Sequence, residues 1–214
     1  KVGFLSNFTN IYIGKQKPIV LKKIKQVLKR NSSLIQYSNS WRLIKLNNSF
    51  FYKDKKIKIK LNTKYIYSRG LLENLCLAIK IALDLKIDKK IIAKTIPKIK
   101  FEARIDYIMK GKLTKKIYKN EKLLIDGCHS EMSGRNLANY LKTLKIPIYG
   151  IWAMTKNKDP NRFIKQFEGI FRKIITIPIE NESAALSNQL LFKIAKKNNY
   201  NSETSKSFEE ALKK

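Results

Sequence analysis

One histidine, two cysteines and 16 acidic residues among 214 leave few materials for several common kinds of site. Cys76 and Cys128 are far apart, with no Cys-x-x-Cys and no Cys/His ligand spacing, so neither a disulfide framework nor a zinc site follows from them. Two such thiols fit a reducing compartment, and a cytoplasmic protein is expected. No apolar stretch approaches the roughly 20 residues that a membrane-crossing helix needs, so a soluble protein is expected. Also missing are an RNP sequence, a KH-type Gly-x-x-Gly and a zinc-finger pattern. Nowhere in the chain is there a Gly-x-x-x-x-Gly-Lys-Ser/Thr phosphate loop.

The chain does hold 46 basic residues, for a formal charge of +30, and 43% of it is apolar, ample for a sizeable core. Such a charge invites a nucleic-acid reading, because clustered cations release counterions from phosphates. The distribution argues against it. Of the 46, 39 are Lys and only 7 Arg, spread along the whole length, and Lys, Asn and Ile dominate together, as biased codon usage produces. Nucleic acid is therefore not the expected partner.

In the first half, "NIYIG" reads as a short strand, and Pro18 can open a helix with Val20, Leu21, Ile24, Val27 and Leu28 at helical spacing. Asn31, Ser32 and Ser33 are expected to end it. Strand-like pieces follow in "LIQYS", "WRLIKLN" and "KKIKIKLN". In the last, Ile57, Ile59 and Leu61 alternate with Lys56, Lys58 and Lys60, one face buried and one solvated. From Leu71 to Leu85 the apolar steps become three and four, the spacing of an amphipathic helix. Pro97 breaks a short helix, and a domain boundary is expected near residues 97 to 107.

Beyond it the elements alternate. "KLLID", "IPIYGIWAM" and "KIITIPI" read as strands, separated by helices over 131–144, 161–168 and 187–198, with a last helix from Ser207. Apolar strands alternating with amphipathic helices predict a parallel sheet covered on both faces. Ligands of such sheets sit off the carboxyl ends of the strands. Two stretches fall at those ends: Asp126 to His129, and "TKNKDP", residues 155 to 160. The chain's one histidine thus stands beside a carboxylate at a strand end, which suits a catalytic role as well as a bland surface one. Asp126 equally fits a cap on the following helix.

Taken together, these stretches resemble the folylpolyglutamate synthase and dihydrofolate synthase family of the Mur ligase superfamily. "LLIDGCHSEMSGRNLANYL" is similar to that family's strand, Asp-Gly-Ala-His-Asn-Pro turn and helix. "YGIWAMTKNKDP" resembles its strand ending in a Lys-Asp pair, here Lys158 and Asp159. "FEARIDYI" resembles the Gly-Arg segment between its two domains and places Arg104 at the family arginine. "RGLLENLCLAIKIAL" is similar to the end of its ATPase domain, with Asn74 as the Asn that opens a helix. "KVGFL" resembles the segment that carries a lysine often carbamylated in the superfamily, which would be Lys1, near the metal. The sequence departs from the pattern at Ala103 for Gly, Cys128 for Ala, and Ser130-Glu131 for Asn-Pro.

The resemblance implies an α/β protein: the end of a Mur-ligase-type ATPase domain, residues 1–102, followed by a Rossmann-like C-terminal domain with a mostly parallel sheet, residues 103–214. It implies ATP-dependent joining of L-glutamate to dihydropteroate or a folate through an acyl phosphate, with Mg2+, by a monomer. Arg104, Asp126 and Asn74 would hold the nucleotide, and His129, Lys158 and Asp159 would serve the reaction. Since the family's phosphate loop lies upstream, the chain is expected to be a fragment without ligase activity of its own. Alternatives are another Mur-type ligase, of cell-wall precursors, and a basic nucleic-acid-binding protein. For single residues, Arg104 could instead pair with Glu102 or Asp106, and Lys158 could be one more solvated lysine.

Overall fold

A computed structural model describes residues 10–28 and 35–214. The chain divides into two compact units, one on each side of the Lys100–Phe101 bond.

The first unit opens with a parallel strand pair joined through a helix. β1 (Ile11–Ile13) and β2 (Ile35–Tyr37) pair in parallel, with Ile11 opposite Ile35, and α1 (Pro18–Leu28) lies between them in sequence. Pro18 stands first in α1, where its missing N–H costs nothing. Ile11, Ile13 and Leu28 are buried together, but Val20 and Val27 stay exposed, so the helix spends only part of its apolar stripe on this cluster. The expected helix stop at Asn31 to Ser33 lies outside the described residues.

An antiparallel sheet follows, in the order β3 (Trp41–Leu46), β4 (Ser49–Asp54), β5 (Lys58–Lys60). Asn47 makes the β3–β4 turn at φ +50°, a backbone that Asn tolerates better than most residues. Asp54 makes the next turn by accepting from the amides of Lys56 and Ile57 at 2.8 and 2.7 Å. Lys58 and Lys60 are exposed around buried Ile59, as the alternation requires. β4 escapes a sequence reading because Phe50, Phe51 and Tyr52 run together without alternating.

Against this sheet packs α2 (Arg69–Asp84), whose Leu72, Leu75, Cys76 and Ile79 are buried with Trp41, Tyr52 and Ile59. Its N-cap is Ser68, whose Oγ accepts from the Leu71 amide at 3.2 Å. Asn74 therefore does not open the helix but stands in its second turn. α3 (Lys89–Thr95), capped by Asp88, runs into a 3-10 turn over Ile96–Lys98 that contains Pro97.

The second unit holds a three-stranded sheet, all parallel, in the order β10 (Ser202–Thr204), β9 (Phe171–Thr176), β8 (Ile148–Trp152). Before that sheet in sequence come β6 (Asp106–Ile108), β7 (Leu123–Ile125) and α4 (Glu131–Leu141). β8 (Ile148–Trp152) leads through α5 (Pro160–Ile164) to the central strand, β9 (Phe171–Thr176). That strand leads through α6 (Asn188–Lys197) to β10 (Ser202–Thr204), and α7 (Phe208–Ala211) closes the chain. The strand expected at "KLLID" is β7, but its partner is β6, antiparallel, with Asp106 opposite Ile125. The sequence pattern missed β6 and β10 because both are three residues long and carry polar side chains, Asp106 and Ser202-Glu203-Thr204.

The core of this unit gathers Leu137, Ala138, Leu141, Trp152, Phe163 and Ile174 with the helix residues Leu191 and Ala195. Gly134 lets α4 approach closely, since a methyl there would lie 3.2 Å from two Phe163 ring carbons. Tyr200, 8% exposed, donates its hydroxyl to the Ile164 carbonyl at 2.9 Å, which ties the end of α6 to α5. Among the described residues no helix is long and apolar enough to cross a membrane.

Candidate functional site

The register of β6 and β7 decides which loop residues meet. With Asp106 opposite Ile125, the residues just before β6 lie beside those just after β7. There the backbone closes two long-range hydrogen bonds. The Gly127 amide donates to the Ala103 carbonyl at 2.8 Å, and the Ile105 amide donates to Asp126 Oδ2 at 2.8 Å. Asp126 Oδ1 takes the Cys128 amide, also at 2.8 Å. The carboxylate thus fastens the turn to the segment that bears Arg104.

That fastening requires an unusual backbone. Ala103 and Ile105 both stand at φ +51°, in the left-handed region that costs an L residue on the order of 1–2 kcal/mol. For Ile105, β-branched and 3% exposed, burial in the core offsets the strain. At position 103, where the resembling family carries Gly, the same φ gives the physical reason for Gly.

Arg104 itself is exposed and donates from Nη1 to the Ala103 carbonyl at 3.0 Å. Its guanidinium lies over Gly127, so close that a methyl on Gly127 would stand 2.5 Å from Nη1. The alternative partners, Glu102 and Asp106, are not what holds it. Asp106 Oδ2 instead accepts from the Ala103 amide at 3.3 Å.

His129 is exposed, and its Nδ1 lies 2.9 Å from the Gly127 carbonyl. A carbonyl only accepts, so Nδ1 carries the hydrogen, and in the neutral ring Nε2 is left as an acceptor. The Cys128 thiol is pushed well above its ordinary range, first by burial and then by the charge of Asp126, with Arg104 pulling weakly the other way. It is a packing group against the core rather than a nucleophile.

Helix α4 has its own cap, and the cap is not Asp126. Ser130 Oγ accepts from the Ser133 amide at 3.3 Å while Ser133 Oγ accepts from the Ser130 amide at 3.0 Å, a reciprocal box. Thus Ser130, standing where the resembling family has Asn, anchors the helix, and Asp126 is released for the clamp.

After β8, Asp159 caps α5: Oδ1 accepts from the Arg162 amide at 3.0 Å, and Oδ2 lies 3.4 Å from Arg162 Nε. Lys158 is partly exposed, and its amide donates to the Thr155 carbonyl at 3.3 Å. This loop is braced by the Lys156 amide on the Ala184 carbonyl at 2.7 Å. The structure therefore brings Arg104, Asp126, Gly127 and His129 into one cluster, while Lys158 and Asp159 belong to the next loop with bonds of their own. Sequence reading missed Gly127 as the seat of the arginine and the paired positive φ angles.

Asn74 is exposed on α2, at the wall of a cavity of about 390 Å³ in the first unit, with Tyr12, Gly14, Lys15, Gln16 and Glu73. Glu73 there takes Arg69 Nε at 3.2 Å and lies 4.0 Å from Lys15 Nζ. Lys1 lies outside the described residues. Among the described residues there is no group of three or more His, Cys, Asp or Glu that could hold a metal ion.

No family model matches the chain, and no curated protein matches it in sequence. Solved structures do match. The Mycobacterium tuberculosis folylpolyglutamate synthase complexed with ADP and AMPPCP superposes with a TM-score of 0.78 at 13% identity, over 92% of this chain and 46% of that one. E. coli FolC in complex with DHPP and ADP gives 0.76 at 14% identity, over 96% and 46%. A bifunctional folylpolyglutamate synthase/dihydrofolate synthase with Mn, AMPPNP and L-glutamate bound gives 0.73 at 12%, over 95% and 47%. The chain has the fold of these enzymes and spans about half their length.

Proposed function

We propose that the chain is the C-terminal portion of an ATP-dependent ligase that joins L-glutamate to dihydropteroate, a folate, or both. One observation carries this reading: two stretches that resemble the synthase family, Ala103-Arg104 and Asp126-Gly127-Cys128-His129, close on one another through hydrogen bonds in a fold shared with those enzymes. The ligands of the solved neighbours, a nucleotide, DHPP and L-glutamate, support the substrate classes.

A free carboxylate does not yield an amide directly, because oxide is too poor a leaving group. Transfer of the γ-phosphoryl group of ATP to a carboxylate oxygen releases ADP and gives an acyl phosphate. The amine of glutamate then attacks the acyl carbon, the amide C–N bond forms, and inorganic phosphate leaves. Such chemistry depends on positioning and on neutralising charge rather than on covalent help. Arg104 suits the phosphates, being always charged and forked. Asp126 suits a sugar hydroxyl, since a carboxylate offers acceptors. His129 Nε2 suits the ammonium or amine of the incoming glutamate. Lys158 would add a second cation from the next loop, and Asp159, by capping α5, would set that loop's shape. Asn74, which the resemblance assigns to the nucleotide, stands at the wall of a cavity within the first unit.

A neighbour holds Mn with its nucleotide analogue. Among the described residues no group of three or more His, Cys, Asp or Glu gathers to hold such an ion, and no step is assigned to a metal ligand of this chain.

The test is glutamate-dependent ADP release by the intact natural protein with ATP, a divalent cation and either dihydropteroate or tetrahydrofolate, with the product followed by mass. A product heavier by one glutamyl residue is expected. ADP release that ignores glutamate, or none with either pterin, would refute the reading.

A further inference from the structure

We propose that Gly127 is a positioning residue for Arg104: the missing side chain is what allows the guanidinium to lie on the turn. Where the arginine sits is a matter of this geometry alone, while what it binds there rests on the function proposed above.

Glycine is commonly demanded by a left-handed backbone, but Gly127 is not among the residues of positive φ, unlike Gly111 and Gly169. Its backbone would accept alanine. The demand comes instead from one neighbour. An added methyl would meet Arg104 Nη1 at 2.5 Å, whereas the next atoms, the Ala103 carbonyl oxygen and Arg104 Cζ, are at an ordinary 3.6 Å. Only the tip of a flexible side chain is in the way, so the methyl would displace the guanidinium and leave the fold standing. Two restraints then hold Arg104 as it is. Nη1 is hydrogen-bonded to the Ala103 carbonyl at 3.0 Å, and that carbonyl is fixed in turn by the Gly127 amide at 2.8 Å. Gly127 is thus both the floor beneath the arginine and the donor that orients its anchor.

Two measurements test this on the intact natural protein, with Gly127→Ala, Arg104→Ala and the double variant. In the first, NMR relaxation of the Arg104 Nε–Hε group reads its order. An ordered group is expected in the parent and a mobile one in Gly127→Ala, with the melting temperature unchanged. Equal order in both would overturn the proposal. Should Gly127→Ala melt lower, adding Arg104→Ala must restore the melting temperature, and failure to restore it would also overturn the proposal.

In the second, calorimetry reads binding of ADP and of inorganic pyrophosphate. Both single variants are expected to weaken binding by roughly ten- to a hundredfold, as for loss of a charge-assisted contact. The double variant should be no weaker than either single one. Weakening by Arg104→Ala but not by Gly127→Ala would overturn the positioning role and leave the proposed function standing. Absence of ADP binding in the parent would count against the proposed function instead, while the NMR arm still decides the seat of the arginine.

Discussion

The Ile105 amide donates to Asp126 Oδ2 at 2.8 Å across a separation of 21 residues. It is a tertiary clamp, where a helix cap would bond the first turn of α4, and the two roles predict different mutants. Asp126→Ala should leave the amides of Ile105 and Cys128 without their acceptor and cost about 1–3 kcal/mol. Asp126→Asn keeps one acceptor oxygen and should cost less. Ser130→Ala, which removes the true cap, should cost about 1 kcal/mol and add to the Asp126 effect as an independent site. Chemical denaturation of the three variants and of the Asp126/Ser130 double variant checks this. A sub-additive double variant would mean that Asp126 also caps α4.

Ala103 and Ile105 share a φ of +51° but should answer oppositely to glycine. At position 103 the change relieves left-handed strain and loses a single methyl. A gain of about 0.5–1 kcal/mol is expected after the greater freedom of glycine in the unfolded chain is deducted. At position 105 the same relief is outweighed by removing a side chain that is 3% exposed in the core, so Ile105→Gly should cost more than about 2 kcal/mol. Melting temperatures should therefore move in opposite directions.

This pair also shows how far the sequence could be read. Asp126 and His129 were legible because an apolar run, a turn and a helical period frame them, and that frame depends only on local pattern. Ile105 in a left-handed backbone was not legible, because a β-branched residue gives no sign of such a conformation and only the partner across the ladder imposes it. Gly127 carried no signal of its own, because the guanidinium close to it comes from a distant position in the sequence. Ser130 and Ser133 fit a helix start only once their reciprocal bonds are seen, since the familiar box ends in Glu or Gln. β4 was hidden by three successive aromatic residues, and β10 by its polarity.

The two thiols should resist modification for the same dominant reason. Burial pushes Cys76 up to about 12, aided by Glu73, and it pushes Cys128 higher still, aided by Asp126. At pH 8 almost no thiolate is present at either position. Titration with an aromatic disulfide reagent should therefore find no fast-reacting thiol in the native protein and both in denaturant. Asp126→Asn should raise the rate at Cys128 and leave Cys76 unchanged.

Asp84 gathers three donors in the first unit: the Tyr12 hydroxyl at 2.8 Å, Gln36 Nε2 at 2.7 Å and Lys80 Nζ at 2.5 Å. Burial alone would raise its pKa, but these bonds and the charge of Lys80 outweigh it and hold the carboxyl below its usual range. Asp54 is held down in the same way: burial raises it, and bonds from Tyr52 and the amides of Lys56 and Ile57 more than compensate. A depressed carboxyl contributes stability that is complete above the unfolded pKa, near 4, and is lost as pH falls through the folded values. The phenols act with the opposite sign. Tyr12 is raised to about 12, first by burial and then by its bond to Asp84, and Tyr52 is raised further by burial and Asp54. Their contribution is complete below pH 10 and disappears as pH rises through the folded values. Stability of the first unit should thus be flat between about pH 5 and 9 and fall on both sides. Trp41 lies in this unit and Trp152 in the other, so Trp152→Phe leaves Trp41 fluorescence as a local reporter of urea unfolding. In that background Asp84→Asn should cost about 1 kcal/mol at pH 7 and make the acid limb shallower. Tyr12→Phe should chiefly reduce the alkaline limb. An acid limb as steep in Asp84→Asn as in the parent would show that the carboxylate of Asp84 contributes nothing to that limb.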